Sequence, residues 1–173
     1  MKRVIFICLL LIVSGESIAQ KYKFAVSSNV LNLVLQGPSL SVSYAVSDRW
    51  SVQGYGATGK STFFNNYKFK TGILDVRYHF WKLAYAGPYL RYIEKSVHSE
   101  GLVYGFIGWP GRDFNGKGLS SGISLGLQLT KSNRFNLETF AGAGYGGFIS
   151  QQGDRNNSGF LDVRIGVLTG VNF

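Results

Sequence analysis

The last fifteen residues of the chain, Gly159 to Phe173, alternate strictly between two kinds of side chain. One set is apolar apart from a single threonine: Leu161, Val163, Ile165, Val167, Thr169, Val171 and Phe173. The other set includes Asp162, Arg164, Gly166, Gly170 and Asn172. Because successive side chains of an extended strand point to opposite faces, this pattern predicts a strand with one apolar and one polar face. An apolar face that runs unbroken to the last residue is typical of a lipid-facing strand in a transmembrane β-barrel.

The final residues also resemble the C-terminal signature that bacterial outer-membrane barrels present to the barrel assembly machinery. Phe173 supplies the terminal aromatic side chain, and Val171 stands two positions before it. Leu168 departs from the stricter form of the signature, which has glycine at that place. The resemblance implies that Val171 and Phe173 are an assembly signal and that the protein is located in the bacterial outer membrane.

Residues 1–20 have the composition of a secretory signal peptide. Lys2 and Arg3 form a basic start, residues 4–13 are an apolar run too short to span a bilayer, and residues 17–19 form a small-residue cleavage site. We therefore expect residues 21–173 to form a single exported domain, which their number also favours. The one cysteine, Cys8, would be removed with the signal, and this excludes disulfides and cysteine chemistry from the domain.

The chain is basic, with 18 Lys and Arg against 9 Asp and Glu. Removal of the signal lowers the net charge only from +9 to +8, because Lys2, Arg3 and Glu16 leave with it. Phosphates of outer-membrane lipids are an obvious partner for a basic exported protein, and a solvated basic surface without a specific ligand is the alternative. Export argues against nucleic acid as a partner.

Seven further stretches show strand-like alternation between turn residues, and no stretch shows a convincing helical stripe. The predicted strands cover residues 22–33, 39–46, 50–58, 68–80, 85–94, 119–130, 135–148 and 159–173. Apart from a short first outward loop at residues 34–38, short and long connections alternate, as they do when tight turns face the periplasm and free loops face outward. These features predict an all-β, eight-stranded, antiparallel up-and-down transmembrane barrel. The rival is an exported soluble ligand-binding barrel with its faces reversed.

Aromatic side chains gather near both groups of connections. Those near the short turns are Trp50, Phe80, Trp81, Tyr85, Phe135 and Phe173, and those near the long loops are Phe63, Phe64, Tyr67, Phe69, Phe148 and Phe160. The two groups predict rings at the two membrane interfaces, with ordinary core packing as the alternative.

Three segments resemble the strands of an uncharacterised outer-membrane family known as domain of unknown function 3575. They are LDVRYHF at 74–80, GISLGLQ at 122–128 and NLETFAGAGY at 136–145. The resemblance covers nearly all of residues 21–173. It implies an eight-stranded barrel at the cell surface, and it supplies neither an activity nor catalytic residues.

Residues 54–61, GYGATGKS, match the phosphate-binding pattern of a glycine, four residues and then Gly-Lys-Ser. That chemistry requires a helix that begins at the lysine, so that its N-terminus faces the phosphate. The sequence TFFNNY that follows has no helical character. We therefore expect a glycine-rich strand end that leads into a loop, and no nucleotide partner.

Six charged residues fall on the strand faces opposite the apolar ones: Asp75, Arg77, Arg91, Glu138, Asp162 and Arg164. An eight-stranded barrel has an interior just wide enough for side chains, so three acids and three bases there should pair and plug the lumen. An ion path or a ligand site inside is the alternative. A hairpin that turns near Leu83 would place Asp75 opposite Arg91 and Arg77 opposite Tyr89, and we expect Asp75 and Arg91 to form an ion pair.

Neither histidine indicates a catalytic site. His79 is predicted on the inner face near a tight turn, and His98 precedes Ser99 and Glu100 in the longest loop. Lipid deacylases of the outer membrane use a serine, a histidine and an acid that converge, which three adjacent loop residues cannot do. We expect no enzyme, no cofactor and no metal site, and an outer-membrane lipid-modifying enzyme is the alternative.

The longest predicted loop runs from Lys95 to Gly118, and its stretch from Gly101 to Gly118 is rich in apolar side chains for an outward loop. Its candidate binding surface consists of Tyr104, Phe106, Trp109 and Arg112. The loop either extends the fifth and sixth strands as a hairpin above the lipid or binds a surface partner. The sequence thus predicts a small outer-membrane barrel with a plugged lumen and a structural or interaction role through its outward loops.

Overall fold

The computed structural model describes residues 23–34, 36–61, 67–97, 114–130, 134–152 and 159–173. It contains eight strands: β1 (Phe24–Asn29), β2 (Ser39–Ala45), β3 (Trp50–Ser61), β4 (Tyr67–His79), β5 (Ala84–Val97), β6 (Phe114–Gln128), β7 (Phe135–Gln152) and β8 (Gly159–Asn172). A one-turn helix, α1 (Leu31–Val34), lies between β1 and β2. Every strand is antiparallel to its neighbours and β8 pairs with β1, which closes the sheet into a barrel. The predicted all-β class, with eight antiparallel strands in one ring, is confirmed.

None of the helical residues within these ranges forms a segment long and apolar enough to cross a bilayer.

Side chains alternate between the inside and the outside of the wall, because each strand is extended. In β8, Asp162 and Arg164 are buried, whereas Leu161, Val163 and Ile165 are 63–73% exposed. Exposed apolar side chains of neighbouring strands together form a surface that we call the outer belt: Leu74, Leu90, Leu119, Ile123, Leu125, Leu127, Leu161, Val163 and Ile165. The barrel is therefore apolar on the outside and charged on the inside.

The two ends of the barrel differ. At the turn end, short connections join β2 to β3, β4 to β5 and β6 to β7. At the loop end, β5 continues to Val97 and β6 begins at Phe114, so that 114–118 of the longest predicted loop belong to a strand. The rest of that loop and the predicted signal peptide, residues 1–20, lie outside the described residues.

The first predicted strand is wrong beyond Asn29. The sequence predicted a strand to residue 33, but the chain turns into α1 at Leu31. Asn29 Oδ1 accepts hydrogen bonds from the backbone amides of Leu31 and Val167, each at 3.1 Å. The Asn32 side-chain amide donates to the carbonyl oxygens of Gly37 at 2.7 Å and of Thr58 at 3.0 Å. Side-chain groups thus replace the backbone pairing that a longer β1 would have made.

The predicted pairing of Asp75 with Arg91 is also wrong. Asp75 lies opposite Tyr89, and Arg91 lies opposite Ile73. The register between β4 and β5 therefore differs by two residues from the prediction, which also rules out Arg77 opposite Tyr89. A shift of two keeps every side chain on its predicted face, so Asp75 and Arg91 both still point into the barrel.

Two details of the hairpin turn cause this shift. Trp81 and Ala84 exchange backbone hydrogen bonds of 3.3 and 3.2 Å, which centres the turn before Leu83 rather than on it. The next pair is His79 with Tyr85. Between these two pairs the chain moves by two residues on the β4 side and by one on the β5 side, so Phe80 is one extra residue before the turn. An extra residue on one strand is a β-bulge, and it moves the register by one more position.

Among the described residues, the aromatic side chains form an outer ring at the turn end. Trp50, Phe80, Trp81, Phe135 and Phe173 are exposed there. Tyr85, which was predicted in that ring, is only 1% exposed and points inward.

At the loop end the predicted outer ring is wrong for Phe69 and Phe160, which are buried inside the wall. Phe148 packs against Phe160, with ring centroids 4.8 Å apart. The strand alternation decides this facing, since Phe69 shares the parity of the inward-pointing Asp75. Phe63 and Phe64 lie outside the described residues.

Candidate functional site

The centre of the barrel holds the interior charge network, which consists of Asp75, Arg77, Arg91, Glu138, Asp162 and Arg164. The structure brings all six together as three ion pairs, each between different strands. Arg77 of β4 pairs with Glu138 of β7, with Arg77 Nη2 3.0 Å from Glu138 Oε1. Arg164 of β8 pairs with Asp75 of β4, and Arg91 of β5 pairs with Asp162 of β8. The three pairs cross the lumen in different directions.

Each carboxylate of the network has a further donor besides its arginine. Tyr85 donates to Glu138 at 2.5 Å, and Ser124 donates to Asp75 at 3.1 Å. Asp162 accepts from Tyr89 at 3.0 Å and from Ser120 at 2.6 Å. Ionised carboxylates only accept hydrogen bonds, so these donors satisfy the lone pairs that the arginines leave over.

Two inward tyrosines support the arginines by their ring faces. The guanidinium carbon of Arg77 lies 4.3 Å from the Tyr85 ring centroid, and that of Arg164 lies 3.8 Å from the Tyr89 centroid. Contacts of this kind attract a cation to the negative face of an aromatic ring. Sequence reasoning missed both tyrosines as network members. Both tyrosines are an even number of residues away from Arg91 on the same strand, so all three side chains point to the same face. This alternation could have identified the tyrosines from the sequence.

The network offsets three positive with three negative charges in an interior that excludes most water. Such pairs balance their desolvation only if their remaining polar atoms are also bonded. The Nε atoms of Arg77 and Arg164 are exceptions: both are buried and neither has a hydrogen-bond partner within the described part of the chain.

His79 lies close to a serine at the turn end of the lumen. Its Nε2 atom is 2.9 Å from Ser51 Oγ, and Ser51 is buried. A catalytic serine and histidine need an acid that orients the imidazole. Glu138, the network's acid on β7, is held by Arg77 and Tyr85. The other candidates, His98 to Glu100, lie outside the described residues.

The phosphate-binding pattern at 54–61 lies entirely in β3. Its residues pair with β4 one after another, from Gly54 opposite Leu74 to Ser61 opposite Tyr67. Their backbone groups therefore form the hydrogen bonds of a sheet. A phosphate site requires a loop that leads into a helix N-terminus instead.

The outer face of the loop end carries a cluster of lysines that the sequence analysis did not identify. Lys70, Glu94 and Lys117 lie side by side on β4, β5 and β6, and Lys60 lies opposite Lys68 in the adjoining row. Lys117 Nζ is 3.5 Å from Glu94 Oε1. We call these five residues the lysine cluster, and its net charge is positive.

Two of the remaining predicted site residues, Val171 and Phe173, do not join the network. Val171 and Phe173 are exposed on the outer face at the turn end. Tyr104, Phe106, Trp109 and Arg112 lie outside the described residues. Among the residues that are described, no group of three His, Cys, Asp or Glu side chains could hold a metal ion.

Comparison with known proteins identifies a family. No curated protein and no solved structure matches the chain. A family model with the description "Protein of unknown function (DUF3575)" matches residues 4–158, which is well over half of the sequence. The chain therefore belongs to this family.

Proposed function

We propose that this protein is a small barrel of the bacterial outer membrane, embedded in lipid through the outer belt, with a lumen plugged by side chains. It acts as a structural or interaction protein through its outward loops. One observation carries the proposal: the polarity of the barrel is inverted, with Leu161, Val163 and Ile165 exposed outside and Asp162 and Arg164 buried inside. A contiguous apolar surface of this extent needs a covering phase, and lipid is the phase that fits a closed barrel.

The lengths of six of the eight strands support this placement, whereas β1 and β2 have only 6 and 7 residues. β3 to β8 have 12 to 18 residues each. A tilted strand needs about 9–11 residues to cross the hydrocarbon core of a bilayer. The rival, an exported soluble ligand-binding barrel, would expose the polar face and bury the apolar one.

The lysine cluster supports outer-membrane lipid as a partner. It lies on the outer face at the loop end, beyond the outer belt, where lipid phosphates would meet the wall. Lys70 and Lys117 lie on either side of the carboxylate of Glu94, and Lys60 and Lys68 add two further positive charges. Each basic side chain near an anionic membrane surface contributes about 1 kcal/mol of attraction.

The interior charge network supports a barrel that does not conduct. Eight strands leave an interior just wide enough for side chains, and wide aqueous pores are built from about sixteen. Arg77, Arg91 and Arg164 fill this interior together with their carboxylates. Planar-bilayer recording of the purified protein should therefore show no large, steady conductance. A stable open channel in most insertions would contradict the plugged lumen.

The interaction role is tested on the longest loop. We suggest replacing residues 101–113 with a glycine-serine linker of equal length, which keeps β5 and β6 intact. A matched replacement of residues 153–158 in the next outward loop is the control. Cross-linking on intact cells should recover a surface partner from the original protein and from the control, but not from the 101–113 variant. An identical set of cross-linked proteins from all three would contradict a role for this loop.

A further inference from the structure

On one side of the loop end, the barrel wall is shorter than elsewhere because two strand pairings end early. The β1–β8 ladder ends at Asn29 and Leu168, although β8 continues back to Gly159. The β2–β3 ladder ends at Ser39 and Ala57, although β3 continues to Ser61. Within the described ranges, no strand fills the wall between the outward halves of β8 and β3, and the short helix α1 lies there instead, in contact with both strands. We call this gap the notch.

A cavity of about 390 Å³ lies at the notch. Phe69, Arg91 and Arg164 line it from inside the barrel. Val163 and Ile165 also line it, and their side chains stand exposed on the outer face of β8. The cavity therefore extends from the lumen to the edge of β8 at the notch, where Leu31 and Asn32 of α1 also line it. Its size falls in the range of about 300–1,000 Å³ that is usual for small-molecule sites.

The strand registers give the height of this opening. Val163 lies opposite Ala143, which lies opposite Ile123 of the outer belt. Ile165 is connected in the same way through β7 to Leu125. Val163 and Ile165 also belong to the outer belt, so the mouth of the cavity lies within the belt and not beyond its edge. If the barrel lies in a bilayer as proposed, the cavity opens to lipid tails and not to water.

The chemistry of the cavity is cationic inside and apolar at its mouth. Arg91 and Arg164 are the charged groups that line it, and the carboxylates that pair with them are not part of its lining. Arg91 Nε donates to Thr71 Oγ1, also in the lining, at 2.9 Å. Arg164 Nε is buried and has no acceptor within the described part of the chain. Arginine recognises carboxylates and phosphates through several N–H donors.

We propose that the cavity binds a single-chain amphiphile with an anionic head group, which enters sideways from the bilayer through the notch. Its carboxylate or phosphate lies near Arg91 and Arg164, and its chain leaves over Val163 and Ile165 into the lipid. This inference rests on the proposed function, because only a bilayer supplies such a ligand at the level of the mouth. A fatty acid and a lysophospholipid share this chemistry.

The test uses residues 21–173 reconstituted in phosphatidylcholine vesicles with a sixteen-carbon fatty acid that carries a photoactivatable diazirine on its chain. Mass spectrometry then identifies the labelled peptides. We expect labelling of Phe69 in the lumen as well as labelling around Ile123 on the outer belt. Hexadecanoate or lysophosphatidic acid should suppress the Phe69 label, and the stronger competitor identifies the preferred head group. Hexadecanol should not suppress it, because it carries no charge.

Two variants test the route and the head-group site. Val163→Trp should block the mouth and lower the Phe69 label about tenfold, whereas Ile123→Trp, two strands away in the outer belt, should leave it unchanged. The double change Arg91→Gln with Asp162→Asn removes an ion pair without leaving a lone charge. This double variant should also lower the Phe69 label about tenfold, because that is the effect expected for the loss of one hydrogen bond to a charged group.

The outcomes separate this inference from the proposed function. Labelling around Ile123 without labelling of Phe69 would overturn the lateral site and leave the bilayer placement intact. Absence of both labels would overturn the placement itself. Equal suppression by hexadecanol would overturn the anionic head group.

Discussion

Arg164 of β8 and Asp75 of β4 form an ion pair across the lumen, in which Arg164 Nη1 donates to Asp75 Oδ2 at 3.2 Å. Both residues are almost fully buried, at 7% and 2% exposure. Removing one partner leaves the other charge in a medium of low dielectric constant, which is costly. We predict that Asp75→Asn lowers the free energy of unfolding by about 3–5 kcal/mol. Urea titration in vesicles, followed by the mobility of unboiled protein on a gel, measures this change.

The matched control is Asp48→Asn, because Asp48 is an exposed carboxylate in the turn between β2 and β3. Its unfolding midpoint should stay close to that of the original protein. The double variant Asp75→Leu with Arg164→Met should recover most of the loss, since replacing both partners with apolar residues is often neutral. Equal midpoints for Asp75→Asn and Asp48→Asn would contradict the ion pair's structural role.

Gly126 of β6 leaves room for the ring of Tyr85. A Cβ atom at Gly126 would clash with the ring of Tyr85. Gly126→Ala should therefore displace Tyr85 from Glu138 and lower the free energy of unfolding by about 1–3 kcal/mol. Gly72→Ala is the control, because a Cβ at Gly72 would meet open space. It should leave stability unchanged or raise it by about 0.5–1 kcal/mol. The same urea titration compares the two, and equal effects would contradict this packing.

Leu125 lies in the outer belt and is largely exposed. In a bilayer, arginine at this level costs about 2–4 kcal/mol on the lipid face of a barrel. We predict that Leu125→Arg lowers the free energy of unfolding in vesicles by this amount. Asn115→Arg, near the loop end of the same strand, should cost less than 1 kcal/mol, since the penalty falls toward the interface. Two variants of equal stability would indicate that the belt does not face lipid.

The faces of the strands could be predicted from the sequence because the period of two depends only on local backbone geometry. This two-residue alternation placed Asp75, Arg91 and Asp162 inside the barrel, where the structure has them. The partners inside the barrel could not be predicted in the same way. Arg164 meets Asp75 across the lumen, and such contacts depend on the stagger of all eight strands.

Local irregularities account for the other errors. The bulge at Phe80 changes one hairpin register, and no residue pattern in that turn indicates it. The run from Val30 to Leu33 continues the apolar character of β1, so only the side-chain bonds of Asn29 and Asn32 explain why the strand ends. The notch follows from this early end, and the lateral cavity could therefore not be found by sequence reasoning.

The central claim is that the outer belt lies in lipid, and vesicle flotation combined with gel mobility tests it most directly. Residues 21–173 are refolded by dilution from urea with phosphatidylcholine vesicles and spun through a density gradient. The account predicts that the protein floats with the vesicles, resists extraction by carbonate and migrates differently on a gel before and after boiling. Protein that stays soluble without lipid or detergent, with the same mobility boiled and unboiled, would contradict the account.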